Sequence, residues 1–251
     1  MLHFSKYPAP PRAGWLACLL LGASGLWLPA SHAALTINST RVVFEGGKRN
    51  VAVTVTNPSG KPFAVQTWVN TQADDQTTAV PFMASPPLFR LNARKEQQVQ
   101  IHGLPNTLPQ DRESLFYFNV QEIPQREAEG GNQLNIALRT RIKLFYRPAG
   151  LRLHLPDALK QLSWSVKNIE GERRLVVNNP TPFHMSFVRI DIKANGQTVQ
   201  LKNAAMAHPV AVQSYGLNGL KPGPGMQVSF SVITDYGGYT APLTSPVVLD
   251  L

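Results

Sequence analysis

An all-β chain made of two sandwich domains is what this sequence predicts, and three observations predict it. Short runs of alternating apolar and polar residues follow one another, turn residues separate them, and no window carries the apolar period of a long helix. Strands at this density are those of an immunoglobulin-like sandwich. The 251 residues suffice for two such domains, each with its own core.

Residues 1–33 read as a secretory leader. Lys6 and Arg12 precede an apolar stretch at 15–28, and Ser31 and Ala33 supply the small residues for cleavage after Ala33. That stretch is shorter than the ~20 residues of a membrane span and contains Gly22, Ser24 and Gly25. The single cysteine, Cys18, falls in the leader, so the mature chain is expected to fold without disulfides; Leu19 behind it does not suit lipoprotein processing. Without the leader the chain has 22 basic and 15 acidic residues, a net charge of +7 that favours anionic partners. The basic residues are scattered, however, and no aromatic-interleaved stripe points to nucleic acid, which is not expected as a partner.

Strands are expected at 36–44, 50–57, 63–71, 97–102, 114–123 and 134–146, bounded by Gly46-Gly47 and by proline-rich turns. A second set is expected at 163–168, 173–178, 185–193, 198–201, 208–212, 227–234 and 244–249. Between them Arg147, Pro148, Ala149 and Gly150 mark a boundary, giving domains at 34–150 and 151–251. Residues 134–146 stand out, since a strand without Gly or Pro over this length reaches roughly 45 Å at ~3.3 Å per residue. Leu134, Ile136, Leu138, Thr140, Ile142, Leu144 and Tyr146 share one face of it. Part of such a strand projects beyond its sheet or lies on an edge, with its apolar face open to another chain.

The halves also echo each other. Val53, Val55, Asn57, Pro58, Pro62 and Phe63 resemble Leu175, Val177, Asn179, Pro180, Pro182 and Phe183, each copy a strand ending in an Asn-Pro turn. Catalysis finds little support. His102, His154, His184 and His208 are far apart in sequence and read as surface or packing residues, with no metal spacing. There is no GxSxG elbow, P-loop or dinucleotide fingerprint, and Gly46-Gly47-Lys48 is a hairpin turn. Asp74 and Asp75 read as solvated loop carboxylates. No enzyme activity, cofactor, metal or small-molecule substrate is expected.

Five segments carry a family resemblance: ALTINSTRVVF at 34–44, PQDRESLFYFNVQEIPQR at 109–126, IALRTRIKLFYRP at 136–148, NPTPF at 179–183 and DYGG at 235–238. In this order they resemble the PapD-like periplasmic chaperones of pilus assembly. The resemblance covers essentially the whole mature chain. It implies two immunoglobulin-like domains in an L or boomerang arrangement that complete incomplete pilus subunits by donating a strand, a form of β-augmentation. Subunits are then protected from aggregation and delivered to an outer-membrane usher.

By the same resemblance, Leu134, Ile136 and Leu138 insert into the subunit groove, worth about 5 to 9 kcal/mol before association costs. Arg41 and Lys143 anchor the subunit's terminal carboxylate and so fix the register, since a one-residue slip turns every knob to the wrong face. Lys143 alternates away from Leu138, so either strand twist or a bulge re-aims it, or knobs and anchor act on different faces. Glu113, Arg147 and Asp235 match an interdomain charged cluster. The short connection at 124–133 resembles the subgroup that serves rod-like adhesive pili, and a self-capping dimer is an implied state of the unbound protein. The second domain departs from family members that carry a disulfide near its C-terminus. The competing expectation is a two-sandwich adhesin or glycan-binding module, but Phe116, Tyr117, Phe118, Phe145 and Tyr146 fall within expected strands instead of in loops.

Overall fold

The computed structural model describes residues 35–75, 77–123 and 136–250. The expected leader, the connection at 124–133 and Leu134 lie outside the described residues. Two sandwiches account for the strands. In the first, one sheet has the order β1 (Thr36–Ile37), β3 (Asn50–Thr56), β7 (Glu96–Gly103), β5 (Phe82–Ser85). The facing sheet runs β2 (Arg41–Glu45), β9 (Arg139–Arg147), β8 (Ser114–Ile123), β4 (Phe63–Asn70), β6 (Leu88–Leu91). Val53, Val55, Val99 and Ile101 of one sheet and Val65, Phe118, Ile142 and Leu144 of the other are buried in one core.

The second half forms a continuous seven-stranded ladder: β13 (Gln197–Leu201), β12 (Phe187–Ala194), β15 (Gln227–Val232), β16 (Leu243–Asp250), β10 (Ser163–Ile169), β11 (Glu172–Asn179), β14 (Ala211–Gly216). It folds over on β16. The first half of that strand pairs antiparallel with β15, up to Pro246, and from Val247 onward it runs parallel to β10. Proline lacks the N–H that a continuous ladder on both sides needs, so a handover there fits its chemistry. Trp164, Leu175, Ile190, Ile192 and Phe230 fill the core between the two layers. A single-turn helix, α1 (Leu155–Ala158), with proline in its first turn, stands at the entry to this half.

Several expectations need correction. The strand expected at 36–44 is two strands in different sheets, split where the Asn38 side chain accepts from the Thr54 N–H at 3.1 Å and so offers the backbone an alternative to the ladder. β5 and β6 were not expected; each has only four residues, too few to show a period. The strand expected at 208–212 is Ala211–Gly216, because the His208 and Val210 backbones are bonded to the Asn179–Thr181 corner instead of a ladder. The long strand begins at Arg139, and residues 136–138 lie ahead of it, with the Leu138 carbonyl still accepting from the Glu122 N–H at 3.0 Å. Asp74 is exposed, as expected, but it has partners: Asn70 donates to it at 2.6 Å, and Arg139 forms an ion pair that holds its carboxyl below the usual range.

The echo between halves reaches the hydrogen bonds. Asn57 donates to the carbonyls of Lys61 and Leu91 and accepts from the N–H and hydroxyl of Ser59. Asn179 donates to the carbonyls of Phe183 and His208 and accepts from the N–H and hydroxyl of Thr181. Both amides are fully buried. Each one ties the end of its strand to a loop from elsewhere in its sandwich.

Candidate functional site: a basic cradle at an open strand edge

β9 carries two chemistries on its two faces. Ile142, Leu144 and Tyr146 point into the first core, while Lys143, Phe145 and Arg147 point away from it, as alternation requires. No register shift interrupts the pairing of β9 with β2 or β8. Over residues 139–147 no bulge re-aims Lys143, and alternation puts it on the face opposite Ile142 and Leu144.

Parallel pairing sets Arg41 of β2 directly opposite Lys143, and antiparallel pairing sets Tyr117 of β8 opposite it on the other side. Arg41 is 8% exposed, yet its fixed contacts are few. Its Nη1 donates to the Ile233 carbonyl at 3.1 Å, its guanidinium carbon lies 5.5 Å from the Phe145 ring centre, and its buried Nε has no hydrogen-bond partner among the described residues. Lys143 Nζ lies 3.4 Å from both the Ser186 hydroxyl and the Met206 sulfur, which are uncharged. Burial, then the charge of Arg41, pushes the Lys143 pKa down; burial also lowers that of Arg41, against Asp235 and Glu113. Two desolvated cations stand side by side with donors to spare. An anion that accepts from both would relieve them.

Beside them the structure brings Glu113, Arg147 and Asp235 together. Arg147 donates to Glu113 Oε1 at 2.9 Å and to Asp235 Oδ2 at 2.7 Å, and its guanidinium lies 4.9 Å from the Phe183 ring centre. Burial opposes its charge, but the hydrogen bonds and charges of the two carboxylates prevail and raise its pKa. The other oxygen of Glu113 accepts from the His184 backbone N–H at 2.8 Å and lies 3.1 Å from His184 Nδ1. Glu113 also donates its own N–H to the Pro182 carbonyl. The network thus joins residues of the first sandwich to loops of the second.

Two family descriptions match the chain: the N-terminal domain of PapD, a pili and flagellar-assembly chaperone, over residues 34–152, and the C-terminal domain of the pili-assembly chaperone PapD over residues 157–243. The chain belongs to the PapD-like pilus-assembly chaperones. It is 38% identical over 219 residues to the probable fimbrial chaperone YadV of Escherichia coli strain K12, covering 83% of this chain and 88% of that one. To the chaperone protein PapD of Escherichia coli it is 35% identical over 174 residues, covering 68% and 71%. The crystal structure of the YadV chaperone matches with a TM-score of 0.74 at 34% identity, over 85% of this chain and all of that one. The Salmonella enterica SafB chaperone, solved in complex with the SafA pilin, matches with a TM-score of 0.72 at 28% identity, over 85% and 96%.

In this chaperone Ile136 and Leu138 are 59% and 47% exposed, and they continue the face whose inner members are core residues. β2 pairs only with residues 143–147 of β9, so residues 139–142 have no strand partner on that side among the described residues. Around the cradle, sequence reasoning missed His184, Ser186, Met206, His208 and the Ile233 carbonyl. All come from the second sandwich, and only the Asn-Pro echo, which ends at Phe183, pointed to that loop. Gly237 was flagged within DYGG but not for its reason: at φ +81° it passes so close to Thr40 that a Cβ would lie 2.6 Å from the threonine hydroxyl.

Proposed function

We propose that this chaperone captures pilus subunits by offering the open edge of β9 as a missing strand. The observation that carries this reading is the coincidence of three things on one strand: an unpaired edge at residues 139–142, exposed Ile136 and Leu138 at its outer end, and Arg41 with Lys143 at its inner end. A subunit strand added there lies in line with β2, parallel to β9, with its terminal carboxylate in the cradle. Ile136 and Leu138, together with Leu134, enter the subunit's groove. Glu113, Arg147 and Asp235 fix the angle between domains at 34–150 and 151–251. The role is binding, not catalysis, and the setting is the periplasm after removal of residues 1–33, with an outer-membrane usher receiving the subunit. The pilin bound to the similar SafB chaperone supports a pilin as the partner here.

Co-expression in a bacterial periplasm with a pilin encoded beside the chaperone tests the reading. The wild-type pair is expected to copurify, and Lys143→Ala and Arg41→Ala are expected to lose the pilin while keeping their own fold by circular dichroism. Wild-type recovery of pilin by both variants would reject the cradle.

A further inference from the structure

A third basic group stands at the cradle. His208 follows Ala207, whose backbone pairs with Met185 in both directions, and its own carbonyl accepts from buried Asn179 at 2.8 Å. The next residue, Pro209, is buried, and the Val210 N–H is held by the Thr181 carbonyl. The backbone that presents the imidazole is therefore fixed on both sides, while the residue itself remains exposed. Its ring stands edge-on to His184, with centres 5.3 Å apart, and the centre of the Phe145 ring, which lies against Arg41, is also 5.3 Å from that of His184. Met206, two residues earlier, touches the Lys143 ammonium.

We propose that His208 is a further ligand of the subunit's terminal carboxylate, and that capture takes up a proton and tightens as the pH falls through the imidazole range. This rests on the cradle reading above. The titratable groups that act on the ring are His184, from the loop before β12, and Lys143, from β9; Arg41 of β2 lies opposite Lys143, and Glu113 is bonded to His184. With the cradle empty, burial, then His184, then Lys143 depress the His208 pKa. A carboxylate seated between Arg41 and Lys143 opposes the two charge effects and raises it. The complex then holds a proton more strongly than the free chaperone, so by linkage affinity rises as pH falls between the two values and is flat above both.

The test uses the purified mature chaperone and a short synthetic peptide of alternating polar and apolar residues ending in a free carboxylate, with its C-terminal amide as control. Calorimetry from about pH 8 to about pH 5.5 is expected to show affinity for the acid peptide rising several-fold, towards the tenfold that one unit of pKa shift supplies. The His208 ring resonances should titrate at higher pH with peptide than without, and His208→Gln should lose most of the pH-dependent gain. Affinity of the wild type that does not change with pH, or a full gain in His208→Gln, overturns the proposal while the preference for acid over amide stands. Equal binding of acid and amide overturns the cradle reading, and this proposal with it.

Discussion

Asn57 and Asn179 are buried amides whose donors and acceptors are all engaged, and that is why an unremarkable dipeptide, Asn-Pro, was a readable signal twice in this chain. Gly237 illustrates the reverse. Its residue type was legible but its reason was not, because the close neighbour, Thr40, is nearly two hundred positions away in sequence. Gly237→Ala is expected to cost about 1–2 kcal/mol for the left-handed backbone alone. It also presses on Thr40, next to Arg41, and displaces the Ile233–Asp235 segment that supports Arg41 and Arg147. Thermal unfolding and pilin copurification should both show the loss, and Thr40→Ala in the same chain should restore part of it. A double variant no better than Gly237→Ala would mean that the clash is not the cause. Histidines were legible least of all. His184 is a packing residue, as expected, but its bonds to Glu113 depend on where its loop lies.

At the scale of elements, β9 was the clearest feature of the sequence, yet its alternation fixed only which residues share a face. Where the face stops being core and becomes surface was not encoded in the pattern, since Ile136, Leu138, Ile142 and Leu144 are all aliphatic. The position of β2, which ends against residue 143, decides it. Two substitutions on this one face should therefore diverge. Ile136→Asp is expected to leave the chaperone's stability within about 0.5 kcal/mol, as for an exposed site, while abolishing pilin capture. Leu144→Ala, fully buried, is expected to destabilise the fold by about 2–5 kcal/mol. Chemical denaturation with copurification separates them; an Ile136→Asp protein that unfolds would place this side chain in the chaperone's own core. Short strands such as β5 and β6 were illegible for a different reason: four residues make one turn of a helix or two repeats of a strand equally well.

Across the whole molecule the two sandwiches were legible as a count and a style, but the way they are joined depends on residues far apart in sequence. Arg147 is the hub, with Glu113 34 positions away and Asp235 88 positions away. Arg147→Ala takes both guanidinium donors from Oε1 of Glu113, whose side chain is 3% exposed, and leaves the carboxylate only its contacts to His184 at Oε2. The expected cost is on the order of 1–3 kcal/mol, reduced from that of a fully buried pair because the arginine is partly open to water. Small-angle scattering should also show a broader range of particle dimensions, the two sandwiches being released from a fixed angle. Unchanged dimensions and stability would remove the network from any orienting role.

The handover in β16 has a consequence in time. Because this strand is shared, neither layer of the second sandwich is complete until its residues have docked, and the loop that delivers Ile233 and Asp235 to the cradle leaves directly from β15, its partner. Arg41 and Arg147, on strands of the first sandwich, therefore gain their Ile233 and Asp235 partners only when the second sandwich closes.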